Sequence, residues 1–231
     1  VKVGAYLDRI GYAGAAEPTY AVLAALQRAH MLTVPFENLD IALGRRLVLD
    51  RRANYAKIVE RRRGGWCFEL NGLFAWLLDQ LGYRVTLLGS RVDGERGTGW
   101  ELAHLLLRVD LERPYLVDVG FGEGSLEPVP LEQVADGVMR HRNGLNVVFT
   151  NSPRRLEEFQ GMSDFLQTSA ESGFVSTRTC TVALPDGRLR LRELVLTERH
   201  GDEVSERELA GEGEWRDCLL ERFGVALRSI I

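Results

Sequence analysis

Residues 61–81 read RRRGGWCFELNGLFAWLLDQL, and this run decides how the rest of the chain is arranged. From Cys67 onward Phe68, Leu70, Leu73, Phe74, Leu77, Leu78 and Leu81 recur at spacings of three and four. That is the pattern of a helix buried along one face. The Gly64-Gly65 pair before it permits close backbone approaches that a Cβ would forbid, and Gly82 stands where the helix is expected to stop. Cys67 is thereby placed at or just inside a helix N-terminus. Unpaired amides and the helix dipole favour negative charge there, which helps a thiol of ordinary pKa about 8.5 to act as a nucleophile. The alternative is a small buried hydrophobe, as most free cysteines are.

The chain of 231 residues holds one large domain or two to three modest ones. A hydrophobic content of 45% and a charged content of 27% are ordinary for a globular protein. Net charge is −4 and the sequence pI about 5.7, so nothing points to nucleic acid or to a membrane surface. The basic clusters Arg45-Arg46, Arg51-Arg52 and residues 61–63 read as solvated helix faces, with local anion binding the minor alternative. Three widely spaced cysteines, Cys67, Cys180 and Cys218, without a CxxC pair argue against a disulfide scaffold or a structural zinc site. No metal is expected. Without a membrane-length apolar run or a signal-peptide pattern, the expected location is the cytoplasm.

Residues 1–82 read as mainly helical. A short amphipathic piece covers Tyr6, Leu7 and Ile10, and a longer helix runs over residues 20–31. Pro35-Phe36-Glu37-Asn38-Leu39 reads as a turn or short helix rather than a strand interior. Asp50 is the expected N-cap of a helix through Ile58, Val59 and Arg62. From Tyr83 the period changes to two. Strands are expected over residues 84–88, 102–109, 115–119, 147–150, 176–184 and 189–196, with a hairpin turn at Pro185-Asp186-Gly187-Arg188. Residues 205–223 read as helical again.

A cysteine nucleophile needs a base, and the base needs an orienting group. Of the four histidines, His30 falls on a helix face, and His141 and His200 lie in charged, turn-like surroundings. His104 instead opens an apolar strand, and the next strand carries Asp118 inside the run Tyr115-Leu116-Val117-Asp118-Val119. A carboxylate there is costly unless paired. In a hairpin whose turn is centred near Leu111, positions 104 and 118 lie opposite one another on one face. The pair is either the base and orienter for Cys67 or a core hydrogen bond without catalytic meaning. Val119-Gly120-Phe121-Gly122 follows, with exposed amides and one aromatic suited to a pocket floor, although a simple turn explains the glycines equally well. Dinucleotide and P-loop fingerprints are absent.

Taken together these stretches resemble the arylamine N-acetyltransferases. The likeness runs from Tyr6-Leu7 and Arg9-Ile10-Gly11-Tyr12 through Val34-Pro35-Phe36-Glu37-Asn38-Leu39 and Arg62-Arg63-Gly64-Gly65-Trp66-Cys67-Phe68-Glu69 with Asn71. It continues through His104-Leu105-Leu106-Leu107, Leu116-Val117-Asp118-Val119-Gly120-Phe121-Gly122, Phe165-Leu166-Gln167-Thr168-Ser169 and Pro185-Asp186-Gly187. The resemblance implies a Cys–His–Asp triad on Cys67, His104 and Asp118. It implies an α+β fold: a helical N-terminal bundle (1–83) carrying the nucleophile, a central antiparallel β-barrel (84–185) carrying the His and Asp, and a small C-terminal α/β lid (186–231), around a cysteine-protease-like core. The implied chemistry is ping-pong transfer from acetyl-CoA, a co-substrate rather than a bound cofactor, to a small arylamine, hydrazine or N-hydroxyarylamine. Glu37 and Arg63 become a buried structural pair, and Phe36, Val92 and Phe121 line the acceptor pocket. Gly120, Gly122, Ser176 and Thr177 lie along the CoA path. A monomer or homodimer is implied.

The chain departs from the family pattern in two places. Between Val138 and Val147 it is short, and Thr98-Gly99-Trp100-Glu101-Leu102-Ala103 is a longer approach to His104 that brings Glu101 towards the site. The competing activities for the same triad are hydrolysis, transamidation or closure of a polyketide amide. A degenerate chain that binds CoA or an aromatic ligand without turnover is the non-enzyme alternative.

Overall fold

The computed structural model describes residues 1–94, 99–141 and 144–227. Its N-terminal third is helical: α1 (Val3–Arg9), α2 (Tyr20–Thr33), α3 (Leu39–Ala42), α4 (Arg51–Tyr55) and α5 (Cys67–Gln80), interrupted by a two-residue strand, β1 (Phe36–Glu37). Short-range chemistry sets several boundaries. The Thr19 hydroxyl accepts the Val22 N–H at 3.3 Å to start α2, and Asp50 accepts the Ala53 N–H at 2.8 Å to start α4, as expected of an N-cap. Beyond Tyr55 the chain makes a π-helical turn over Ala56–Glu60 and ends short of Arg62. In α5 the side chains of Phe68, Leu70, Leu73, Phe74, Leu77 and Leu78 are all at most 1% exposed, so each contributes roughly 1.5–3 kcal/mol of burial. The apolar stripe therefore positions Cys67 by anchoring the helix that carries it.

The remaining strands are β2 (Arg84–Asp93), β3 (His104–Asp110), β4 (Pro114–Val117), β5 (Val129–Pro130), β6 (Val138–Arg140) and β7 (Asn146–Arg154). After two helices, α6 (Gln160–Thr168) and α7 (Gly173–Ser176), come β8 (Thr179–Leu184), β9 (Gly187–Arg192), β10 (Val195–His200), β11 (Glu203–Glu208) and helix α8 (Glu212–Phe223). They form two antiparallel sheets. One has the order β5-β4-β3-β2-β7-β6, the other β1-β8-β9-β10-β11. The main core packs α1, α2 and α5 against one face of the first sheet, and a second core packs α8 through Trp215, Leu219 and Phe223 on the second sheet. Among the described residues no helix is long and apolar enough to cross a membrane.

Five expectations need correction. Among the described residues the first sheet is a curled half-barrel that runs from β5 to β6 without the two pairing, not a closed barrel. Phe36-Glu37 is an edge strand paired with Thr181 and Cys180, and Pro35 just before it stays outside the ladder. Residues 189–196 are two strands, divided where Glu193 takes a positive φ of 48°. Residues 203–208 form β11 rather than helix; the strand is exposed on both faces, so it carries no apolar alternation to betray it. The turn at Pro185-Asp186 joins β8 to β9 within one sheet, so the boundary expected at 185 falls inside a hairpin.

Candidate active site

Cys67 is the first residue of α5, and its side chain is almost fully enclosed, with Sγ 3.9 Å from the Ala103 carbonyl oxygen. The helix start is held by Glu69, whose Oε2 accepts the Trp66 N–H at 3.1 Å. Both glycine expectations have steric causes. A Cβ on Gly64 would collide with the Pro35 carbonyl oxygen, and one on Gly120 would come within 2.8 Å of the Cys67 Cα and of Asn71 Nδ2. Gly120 is thus the floor that lets the loop after β4 pass directly beneath the cysteine.

His104 opens β3, and its Nε2 lies 2.7 Å from Asp118 Oδ2. The same imidazole lines the inner cavity with Cys67, whose thiol adds to the stabilisation of its cation. The expected contact is present, but its register is not the expected one. Leu107 faces Val117 and Asp110 faces Pro114, which centres the turn on Glu112 and puts residue 120, not Asp118, opposite His104. Moving a turn centre by one residue moves the partner by two, and side chains alternate with period two, so Asp118 stays on the same face as a diagonal neighbour.

Asp118 is buried and fully hydrogen-bonded. Its Oδ1 accepts from Asn71 Nδ2 at 2.8 Å and from the Gly120 N–H at 2.9 Å. Asn71 also donates to the Leu105 carbonyl at 2.6 Å and accepts the Val119 N–H at 2.9 Å, tying α5 to both strands of the hairpin. Burial by itself would lower the His104 pKa, but the charge and hydrogen bond of Asp118, with a further contribution from Cys67, raise it from 6.5 to about 10. For Asp118 burial acts upward, and the His104 charge, with bonds from His104, Asn71 and Gly120, brings the pKa below 3.8. The site therefore stabilises a proton on His104, held by Asp118, beside Cys67.

Beneath the start of α5 lies a buried cluster of five charged side chains. Arg63 meets Glu37 at 2.7 Å and Asp40 at 3.1 Å, and Lys57 meets Glu69 at 2.8 Å, Asp40 at 3.1 Å and Glu37 at 3.8 Å. The expected Glu37–Arg63 pair is half of a larger network, and the reading of the 61–63 cluster as solvated holds for Arg61 and Arg62 but not for Arg63. Burial opposes the charge on Lys57, yet its three carboxylate neighbours raise its pKa, while burial raises that of Glu69. Lys57→Met removes one cation: Arg63 still meets Glu37 and Asp40, but Glu69 loses its ion-pair partner in a buried site. We expect a loss of about 3–5 kcal/mol of stability, read by urea denaturation; a midpoint equal to wild type would contradict the pairing.

Two connected chambers open from the thiol. The inner one, a cavity of about 290 Å³, is walled by Cys67 and His104 with Phe36, Val92, Trp100 and Phe121 among its apolar lining. The outer one, of about 340 Å³, shares Phe36, Trp100 and Phe121 and adds Gly122, Thr177, Arg190 and Arg192. Phe36, Val92 and Phe121 all line the inner chamber. Thr177 lines the outer chamber, whereas Ser176 is exposed, lines neither chamber and bonds back to the Gly173 carbonyl at 3.4 Å. The Gly120 N–H is engaged by Asp118. Glu101 points to solvent and pairs with Arg91 at 3.1 Å, so it is Trp100 beside it, packed on Phe165, that reaches the site. Thr98, Arg142 and Asn143 of the two departing stretches lie outside the described residues. Among the described residues no group of three or more His, Cys, Asp and Glu could hold a metal ion.

Sequence reasoning missed several participants. Asn71 falls four residues after Cys67, a polar residue on the buried face of α5, and that position was a legible signal. Lys57 and His141 gave none. Arg188, from β9, donates to the Gly122 and Gly124 carbonyls and pins the loop that bears Phe121.

The family model described as N-acetyltransferase matches residues 19–144 and 140–230. The arylamine N-acetyltransferase of Gallus gallus, pineal gland isozyme NAT-3, is 33% identical over 96% of this chain and 93% of its own. The solved arylamine N-acetyltransferase of M. tuberculosis superposes with a TM-score of 0.89 at 34% identity, covering 97% of this chain and 93% of that one. The Mycobacterium marinum arylamine N-acetyltransferase in complex with CoA superposes at 0.86 with 31% identity, covering 96% and 92%. The Gallus alignment spans 270 positions against 231 residues here, and the family match breaks at 140–144, within the stretch read as short. With one fold, several motifs in order and nearly full mutual coverage, the chain is an acyltransferase that belongs to the arylamine N-acetyltransferase family.

Proposed function

We propose that the chain transfers an acetyl group from acetyl-CoA to the nitrogen of arylamines or hydrazines, or to the hydroxyl oxygen of N-hydroxyarylamines, through a thioester on Cys67. Cys67, His104 and Asp118 are the catalytic residues of this reading. What carries it is a cysteine at a helix N-terminus, walling an apolar chamber together with an imidazole that Asp118 holds at 2.7 Å.

In the first half-reaction the thiol proton goes to His104 and sulfur attacks the acetyl carbonyl; the bond to the CoA sulfur breaks, and the departing thiolate takes a proton. In the second, the amine nitrogen attacks acetyl-Cys67, His104 accepts the amine proton and the thiolate of Cys67 is released. The aromatic ring of the acceptor lies against Phe36, Val92 and Phe121. The outer chamber takes the rest of the donor, with Arg190 and Arg192 facing its phosphates and Thr177 and the Gly122 backbone along its path. The apolar inner lining disfavours water as the competing nucleophile.

The same reading assigns three parts around a cysteine-protease-like core: helices that bring the nucleophile, a sheet that brings His104 and Asp118, and a C-terminal α/β lid. We draw the last boundary before Thr179, so that β8 stays with its hairpin partner. A cytoplasmic monomer or homodimer completes it. The test is CoA release with and without an arylamine. Without amine, one CoA per chain should appear in a burst and stop; added amine should restart release. Steady release without amine would make the enzyme a hydrolase and overturn the proposal.

A further inference from the structure

His141 sits in the stretch where this chain departs from its relatives. Its N–H donates to the Leu145 carbonyl at 2.9 Å and its carbonyl accepts the Gly144 N–H at 3.1 Å. The imidazole stacks on Phe121, with ring centroids 4.3 Å apart and planes 29° from parallel. Phe121 meets His104 as well, at 5.4 Å and 75°. One ring of the acceptor wall therefore touches two histidines, of which only His104 reaches the thiol. Its Nε2 is buried without a hydrogen-bond partner among the described residues. The stack on Phe121 thus holds the ring in place. Burial lowers its pKa below 6.5, so it stacks as a neutral ring at pH 7. Leu145 lines both chambers.

We propose that His141 is a positioning residue for the acceptor: by stacking on Phe121 it fixes the aromatic wall against which an arylamine ring lies, which makes His141 a specificity residue of this chain. The proposal rests on the acetyl-acceptor reading above and adds a residue to it. A ring acceptor should depend on the stack, whereas hydrazine, which has no ring, should not.

The test uses the full chain and separates the half-reactions. Acetylation of Cys67 by acetyl-CoA is followed by intact mass, and KM is then measured for an arylamine and for hydrazine. His141→Ala should raise the arylamine KM about three- to tenfold, the scale of one aromatic pair, and leave the hydrazine KM unchanged. The acetylation rate should stay within about twofold of wild type. His141→Phe, which keeps a ring on Phe121, should restore the arylamine KM. An arylamine KM unmoved by His141→Ala would overturn the proposal, as would an equal loss for hydrazine or no rescue by phenylalanine. A wild-type chain that takes no acetyl group would overturn the reading beneath it, and the proposal with it.

Discussion

Cys67→Ser will leave a folded protein without measurable acetyl transfer. The oxygen nearly matches the sulfur in size, and the thiol's hydrogen bond to the Ala103 carbonyl is long, at 3.9 Å, so the melting curve should hardly move. The chemistry should collapse. A serine hydroxyl is a far weaker acid than a thiol and would need full general-base removal of its proton. The geometry instead favours a proton resident on His104, where Asp118 stabilises it. A loss of kcat of about 10⁴-fold or more is expected, on the scale of nucleophile deletions in triads. Circular dichroism and thermal melting run alongside the assay would separate this from misfolding. Retained turnover in the serine variant would assign the reaction to another residue.

Asp118→Asn should cost nearly as much, for a different reason. If the asparagine oxygen keeps the bonds from Asn71 and Gly120, its NH₂ faces His104 Nε2 and forces that nitrogen to accept. The proton then moves to the ring nitrogen facing Cys67, and the imidazole can no longer receive the thiol proton. We expect acylation to slow about 10³–10⁴-fold with the KM for acetyl-CoA little changed. The pH dependence of stability gives a second readout. His104 is raised from 6.5 to about 10, so its stabilising contribution is fully present below pH 6.5 and lost as pH rises through about 10. Asp118 is lowered from 3.8, so its contribution is present above that pH and lost as pH falls below it. The stability gap between wild type and Asp118→Asn should be widest between those ordinary values, at mildly acidic pH, and narrow on the alkaline side. A gap independent of pH would show that the two residues are not ionised together.

Much of this site was legible before any coordinates. The three-and-four spacing around Cys67 fixed a helix, and a charged residue inside an apolar strand demanded a partner. The His104–Asp118 contact survived an error in the turn centre because strand faces repeat every second residue. What stayed hidden lacked a local signal. Lys57 is a lysine in a helical stretch rich in charge, and nothing in its neighbourhood shows that three carboxylates converge on it from Glu37, Asp40 and Glu69. His141 follows β6, and its stack on Phe121 is a contact between residues 20 positions apart that no local pattern announces. β11 has no buried face to pattern, so helix propensity was the stronger local cue, and pairing with β10 overrode it. Motifs that must keep a rigid geometry left marks in composition; walls built from loops did not.

The central claim is that Cys67 carries the acetyl group between donor and acceptor, and intact mass spectrometry after brief mixing with acetyl-CoA tests it most directly. Cys180 and Cys218 are also free thiols, so the comparison is with Cys67→Ala. A single acetyl adduct on the wild type, absent from the variant and discharged by an arylamine, is the predicted result. An adduct of equal yield on Cys67→Ala, or a wild-type adduct that an arylamine leaves in place, would contradict the account.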